Sequence, residues 1–193
     1  MIPQQKLSST YVYAEYLAPD DGPWISSMVD YELGGAALND PSQGLMVKPW
    51  RLRVVGNDVR IDAIPTVSEV TLFTAPGITE ASLAFDQNMR PIVAYVQSGV
   101  AKLWWYDTLA QTTVVTELGA DVLTPRVTLD DKRPWQVAAS DVILAYVRNN
   151  NLYFRAQRDR FGVEYLLREN IDGLLLRVGM NNQRRLMFWL EEA

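Results

Sequence analysis

The run from Pro91 to Asp107, PIVAYVQSGVAKLWWYD, returns from Val142 as VILAYVRNNNLYFRAQ, with Ala-Tyr-Val at 94–96 and again at 145–147, 51 residues apart. Each copy is an apolar run, a short polar turn and a second apolar run, which is the pattern of a β-hairpin. The match extends upstream, where Ser82-Leu83-Ala84-Phe85-Asp86 followed by Arg90-Pro91 answers Val127-Thr128-Leu129-Asp130 followed by Arg133-Pro134. A chain that repeats a two-stranded ribbon is constrained to bury it against other ribbons, so its architecture is set by how hairpins stack. The repeated units run over about 78–118 and 122–167, within a single all-β domain expected to span 1–193.

The rest of the chain has the same character. Tyr11–Leu17 reads as a strand stopped by Pro19, Asp20-Asp21-Gly22-Pro23 as a turn, and Trp24–Tyr31 as a second strand. Residues 34–49, GGAALNDPSQGLMVKP, form a long loop with embedded turns, and loops of that length are often contact surfaces. Trp50–Ala63 alternates well, with Trp50, Leu52 and Val54 on one face and Arg51, Arg53 and Val55 on the other, before a Gly56-Asn57-Asp58 turn sends Val59 and Ile61 back. Thr66–Thr74 is another strand, ended by Pro76-Gly77. The first copy then offers strands SLAF, PIVAYV, AKLWWYD and TTVVTEL, and the second RVTL, WQVAA, VILAYV, NLYFRAQ and VEYLL. The WQVAASD segment between Pro134 and Val142 is where the copies differ most, and the last residues repeat the form around Gly179–Gln183. No helix is expected: 163–178 has partial helical spacing, but Gly173 and the β-like run after it break the pattern.

The valines that precede the turns, at 55, 96, 147 and 178, are spaced by 41, 51 and 31 residues. Propeller blades recur at about 40–50 residues. The expected fold is therefore all-β, built of repeated antiparallel hairpins in a partial β-propeller-like arrangement, with a β-sandwich of the same hairpins as the alternative. The chain is too short for the four full blades that usually close a ring. An open arrangement leaves raw β-edges, which proteins cover or use for pairing, and oligomerisation or docking on a partner is the expected remedy.

Composition narrows the chemistry. The chain has no cysteine and no histidine, which removes disulfides, Cys/His zinc sites, thiol nucleophiles and imidazole bases. Its balance of 48% apolar and 21% charged residues is that of a folded domain. No apolar run approaches a membrane span of about 18 residues. The opening shows no secretion signal, so synthesis in a cytoplasm and a soluble product are expected. A net charge of −5 argues against general or specific nucleic-acid binding, although Arg148–Arg185 holds eight Arg against four acids, net +4, leaving −9 elsewhere. Oppositely charged regions suit head-to-tail association of copies, or are two solvated faces of one molecule.

No motif selects a catalytic group, a cofactor or a metal, and none is assigned. Asp86 and Asp130 hold equivalent places, where Asp in a turn caps backbone N–H groups. Asp20-Asp21, Asp58 with Asp62, and Asn149–Asn151 are oxygen-rich but lack calcium-loop spacing. The glycines form neither a dinucleotide fingerprint nor a P-loop. Trp104 and Tyr106, alternate residues of a strand, are the candidate platform for stacking a sugar, with core packing as the competing reading for the aromatic run 104–106 and for Tyr153-Phe154. The arginines at 148, 155, 158, 160 and 168 suggest fixed ion pairs and protein contacts.

At Tyr31–Leu45, YELGGAALNDPSQGL, followed by Trp50-Arg51-Leu52-Arg53 and the Gly-Asn-Asp hairpin, the chain resembles small tail-associated virion proteins of tailed bacteriophages over about 40 residues. The resemblance implies a non-enzymatic structural part, present in multiple copies in the virion tail or at its junction with the head. Its partners would be other virion proteins and further copies of itself in a homo-oligomeric assembly. The surface expected to make those contacts comprises Leu38, Asn39, Asp40 and Pro41 of the long loop together with Arg155 and Arg158. A receptor- or glycan-binding module of the tail, using Trp104 and Tyr106, is the alternative.

Overall fold

The computed structural model describes residues 11–13, 24–26, 28–30, 50–63, 69–86, 90–130, 141–180 and 186–192. Three short strands come first, β1 (Tyr11–Tyr13), β2 (Trp24–Ser26) and β3 (Met28–Asp30). The segment read as one strand from Trp24 is thus two, and they serve different sheets: β3 pairs with β1, whereas β2 pairs with β4 (Trp50–Val55). With β5 (Asp58–Ala63) and β6 (Glu69–Thr74), β2 and β4 make the first four-stranded antiparallel sheet.

The two sequence repeats are the next two sheets. The second sheet is a meander of β7 (Ile78–Phe85), β8 (Pro91–Gln97), β9 (Val100–Asp107) and β10 (Thr112–Gly119). The third is a meander of β11 (Val122–Asp130), β12 (Asp141–Arg148), β13 (Asn151–Ala156) and β14 (Tyr165–Arg168). A 3₁₀ turn, Gln157–Asp159, follows β13. The chain continues through β15 (Gly173–Met180) and β16 (Leu186–Glu192), which pair into a two-stranded sheet. The proposed strand at Trp135–Ala139, the Arg133-Pro134 pair and the loop at 34–49 lie outside the described residues.

The repeat is real at the level of register. Val96 pairs with Ala101 and Val147 with Leu152, and the loops beyond are Ser98-Gly99 and Asn149-Asn150. Both residues of each loop have positive φ, at 50° and 79° in the first and 49° and 58° in the second. That is the primed turn whose twist matches the flanking strands, and Gly and Asn are the residues that tolerate it best. The first sheet turns instead at Gly56-Asn57, with positive φ at the glycine, so Val55 is one residue nearer its turn than Val96 and Val147 are to theirs. Strand pairing also corrects the upstream alignment. The residue opposite Asp130 is Asp141, whereas the first copy has Arg90 beside Asp86.

Sheets stack face to face in chain order, and this explains the runs of apolar sequence. Val93 and Tyr95 pack toward the first sheet in a cluster with Leu52, Val59 and Ile61, while Ile92 and Ala94 pack toward the third with Val127, Leu129 and Leu144. In β12, Leu144 and Tyr146 face the second sheet, and Ala145 and Val147 face the two-stranded sheet with Leu175 and Val178. A strand buried on both faces has no polar side, so β8 and β12 are continuous apolar runs rather than alternations. The hairpin of the first sheet keeps its alternation because Leu52, Val54, Val59 and Ile61 point into the core, where Leu72 and Phe73 of β6 pack against them.

First strands of successive sheets lie side by side and are linked across the gap. Val127 N donates to Ser82 Oγ at 3.0 Å, joining β11 to β7, and Leu175 N donates to Thr124 Oγ1 at 3.1 Å, joining β15 to β11. Thr124 and Pro125 fall at a bulge in β11, where proline's missing N–H costs no ladder bond. The fold is therefore all-β. Each adjacent pair of sheets packs as the halves of a sandwich do, the succession of meanders is that of propeller blades, and no ring is closed among the described residues.

Candidate interaction surface

The two repeated sheets are locked at one end by the segment after β13. Ala156 ends the strand with its C=O accepting from Phe161 N at 3.0 Å, the 3₁₀ turn reverses the chain, and Arg160 and Phe161 adopt left-handed φ of 52° and 55°. This geometry drives the Phe161 ring, fully buried, edge-on into Trp105 of the neighbouring sheet at a centroid distance of 5.1 Å. Trp105 is held in turn by Nε1 donating to Thr116 Oγ1 at 3.1 Å. Arg160 crosses the same boundary to the Asp107 carboxylate, whose other oxygen accepts from Leu109 N at 2.9 Å and Ala110 N at 3.3 Å. The Arg160 bond comes first among the causes that hold Asp107 below the usual carboxylate range. Gln157 Nε2 approaches Asp86 Oδ2 at 3.5 Å, and Arg158 pairs with Asp141 through its backbone N at 2.9 Å and Nε at 2.8 Å.

The carboxylates at this end are buried but engaged, as the turn-capping reading of Asp86 requires. Its Oδ1 accepts from Arg90 N at 2.9 Å while its own N–H donates to Arg90 O at 3.0 Å. Asp130 is buried and engaged as well. Asp58 is taken by Arg60 and Thr74, both of which lower its pKa, and Asp62 lies 3.5 Å from Arg53 Nε. Among the described residues no group of three or more His, Cys, Asp or Glu is arranged to hold a metal ion. Asn149 and Asn150 are turn residues.

Of the residues expected to contact neighbours, Leu38, Asn39, Asp40 and Pro41 lie outside the described residues. Arg155 faces inward. Its Nε donates to the hydroxyl of fully buried Tyr146 at 2.8 Å, its Nη1 to Phe161 O at 3.1 Å and its Nη2 to Glu164 at 3.5 Å. Burial is the main cause of a raised Tyr146 pKa, partly offset by the positive charge of Arg155. Arg148 closes the cluster, contacting both oxygens of Glu164 at 2.6–2.7 Å and lying over the Tyr153 ring at 5.1 Å. Three of the five N–H donors of Arg155 are spent inside its own fold, on a side chain that is mostly buried, so it presents little to a neighbour. Arg158 differs: beyond its Asp141 pair its side chain is 60% exposed.

The aromatic pair is also drawn into the fold. Alternation along β9 sends Ala101, Leu103 and Trp105 toward the third sheet and Trp104 toward the first, where its ring stacks on Phe73 at 5.3 Å. Tyr106 is covered by the Arg90 guanidinium 4.4 Å above its centroid. Each ring thus has one face engaged inside the fold, Trp104 by Phe73 and Tyr106 by Arg90.

What the sequence did not single out is the outer margin of the third sheet. All four residues of β14, Tyr165–Arg168, are exposed, and three of them are large and apolar. The corresponding β10 is rich in Thr, with Val114 packed into the core beside Trp105 and Val115 exposed. On β6 of the first sheet Val70 is exposed and Glu69 pairs with both Arg53 and Arg60, the latter at 2.7 Å, so neither margin carries as many exposed large apolar residues as β14. Among the described residues no helix is long and apolar enough to cross a membrane.

A scan of the chain against protein-family models finds no match, and comparison with curated proteins finds none either.

Proposed function

We propose that the chain is a non-enzymatic structural component of a bacteriophage virion, at the tail or the head–tail junction, acting by holding neighbouring proteins at fixed positions. The observation that carries this reading is the combination of rigid stacked sheets with apolar β14 left uncovered at their margin. A surface of that kind suits protein contact, because an exposed apolar edge strand is a template for pairing. Two further points support it. The buried carboxylates Asp86, Asp107 and Asp141 are spent on backbone N–H groups and on Gln or Arg partners: Gln157–Asp86 and Arg160–Asp107 tie the third sheet to the second, and Arg158–Asp141 lies within the third. The residues Tyr31–Leu45, with the hairpin from Trp50, resemble tail-associated proteins.

The mechanism is geometric. Phe161 and Arg160 fix the angle between the second and third sheets, so the margin strands are presented at a set spacing to whatever lies beside them. Association with other virion proteins and with further copies follows from edges of this kind, and the exposed Arg158 supplies a charge for such a contact. Quantitative mass spectrometry of purified particles tests the reading. The chain should be present at a fixed multiple of other tail components, and its absence from purified particles would refute the proposal.

A further inference from the structure

Among the described residues Thr124 is the one β-branched residue with a positive φ, at 47°. A branched Cβ crowds the backbone in that region, and Pro125 presses the residue before it toward extended conformations, so Thr124 is strained on two counts. Strain of this kind persists only where the surroundings over-determine it. They do so here from both sides. On the C-terminal side the chain is fixed to the second sheet, by Arg126 paired with Glu80 and by Val127 N donating to Ser82 Oγ at 3.0 Å. On the other side Thr124 Oγ1 accepts from Leu175 N of β15 at 3.1 Å. The register of β11 on β12 breaks at the same place, between Leu123 and Arg126.

The ribbon held by this bond is built like a flap. Among the described residues β15 and β16 pair with each other alone, and they meet the third sheet through side chains, with Leu175, Val178, Phe188 and Leu190 packed in one cluster with Ala145, Val147 and Leu152. The connection into the ribbon is pinned. Ile171 is buried in that cluster and its N–H donates to Asn150 O at 2.8 Å, while Asn170 N donates to Asn151 Oδ1 at 3.0 Å. Gly173 follows where β15 begins, with a φ of 151°, and is the natural pivot.

We propose that Thr124 is the latch of this flap: the seated ribbon holds it in its strained conformation, and when the ribbon swings out at Gly173 the residue relaxes to extended backbone. The device goes beyond the functional reading and does not rest on it. Seating gives Leu175 N an acceptor and buries the apolar cluster, while opening releases the strain and uncovers Ala145, Val147 and Leu152. Thr124 is a positioning residue in this scheme. Its hydroxyl favours the seated ribbon and its branched Cβ opposes it, so substitution separates the two.

Amide exchange of the full chain, read residue by residue by NMR, tests the latch. A released two-stranded ribbon is too weak to keep its own bonds, so the amides bonded between β15 and β16 should exchange together, and faster than those of buried β12. Thr124→Val keeps the branch and removes the acceptor, and should speed exchange of those ribbon amides by about tenfold or more. Thr124→Ser keeps the acceptor and removes the branch, and should slow it about threefold or more. Exchange in β12 that stays slower than in the ribbon shows that each variant remains folded. Ribbon amides exchanging at the rate of β12 would overturn the proposal, because no flap then opens by itself. So would ribbon exchange that neither substitution moves, or that both move in the same direction. Should the valine variant fail to fold, Thr124→Ser decides alone, since it leaves the bond to Leu175 in place: slowed ribbon exchange supports the latch and unslowed exchange refutes it.

Discussion

Arg160 donates a charge-assisted hydrogen bond to Asp107, 53 residues earlier in the chain and on the adjacent sheet. The Arg160 side chain is 53% exposed and the Asp107 side chain 4%, so a solvated cation holds down a buried anion at the boundary between the two repeats. Because the pair favours the ionised carboxylate, folding lowers the pKa of Asp107. A group depressed in this way contributes stability that is complete above the ordinary aspartate range, about pH 4, and is lost as pH falls through the lowered native value. Asp107→Asn keeps an oxygen for the Leu109 and Ala110 N–H groups and loses the charge. Its stability should be lower than that of the parent at neutral pH and should fall less between neutral pH and pH 3. Acid unfolding followed by circular dichroism reads both.

Phe161 is the plug behind that bridge. It is fully buried against Trp105, in a cluster shared by both repeated sheets. Phe161→Ala leaves a cavity at the boundary and should destabilise the chain by about 3–5 kcal/mol, measured by urea denaturation. A loss below about 1 kcal/mol would mean that the two sheets do not depend on the plug.

Tyr146→Phe keeps the ring and removes the oxygen that accepts from Arg155 Nε. Leaving a buried charged donor without that partner should cost about 1–3 kcal/mol, with the tyrosine titration shifted up by burial disappearing from the ultraviolet spectrum. Arg155→Glu should be worse, because it also opposes Glu164.

Arg158→Glu separates folding from contact. The side chain is largely solvent-exposed, so circular dichroism should report a folded domain, less stable for the loss of the Asp141 pair, while on the proposed virion reading co-assembly with tail proteins should weaken. Unchanged assembly would remove Arg158 from the contact surface. The inward placement of Arg155 means that the same substitution there reports on folding rather than on assembly.

The hairpin loop Asn149-Asn150 offers a backbone test. Both residues are left-handed, a conformation that β-branched residues tolerate poorly. Asn150→Val should destabilise by about 1–2 kcal/mol, whereas Asn150→Gly should be nearly neutral, with thermal melting as the measurement.

The legible part of this fold was the ribbon. Turn chemistry at Gly56-Asn57, Ser98-Gly99 and Asn149-Asn150, with apolar runs on either side, located the strands of the two repeated sheets, although the first strand of each, β7 and β11, begins four residues earlier than expected. Strand pairing at Arg90 and Asp141 departs from the upstream alignment because the copies join their first and second strands differently, and sequence similarity does not report which residue stands opposite which. The functional side chains were harder to read. Of the five arginines expected to form ion pairs, Arg148, Arg155, Arg158 and Arg160 do so and Arg168 stands exposed on β14, and only the fold shows that Arg155 turns inward to Tyr146 while Arg158 stays exposed. The same holds for Trp104, since strand alternation gives its face but cannot say that Phe73 of another sheet covers it. The exposure of β14 depends on what a later pair of strands fails to cover, a non-local property invisible in the residues Tyr165–Arg168 themselves.

Amide hydrogen exchange over Tyr165–Arg168, compared between the isolated chain and purified virions, tests the proposed role most directly. The account predicts fast exchange of the outward amides in the isolated chain and strong protection in the particle. Slow exchange in the isolated monomer, or no change on incorporation, would contradict it.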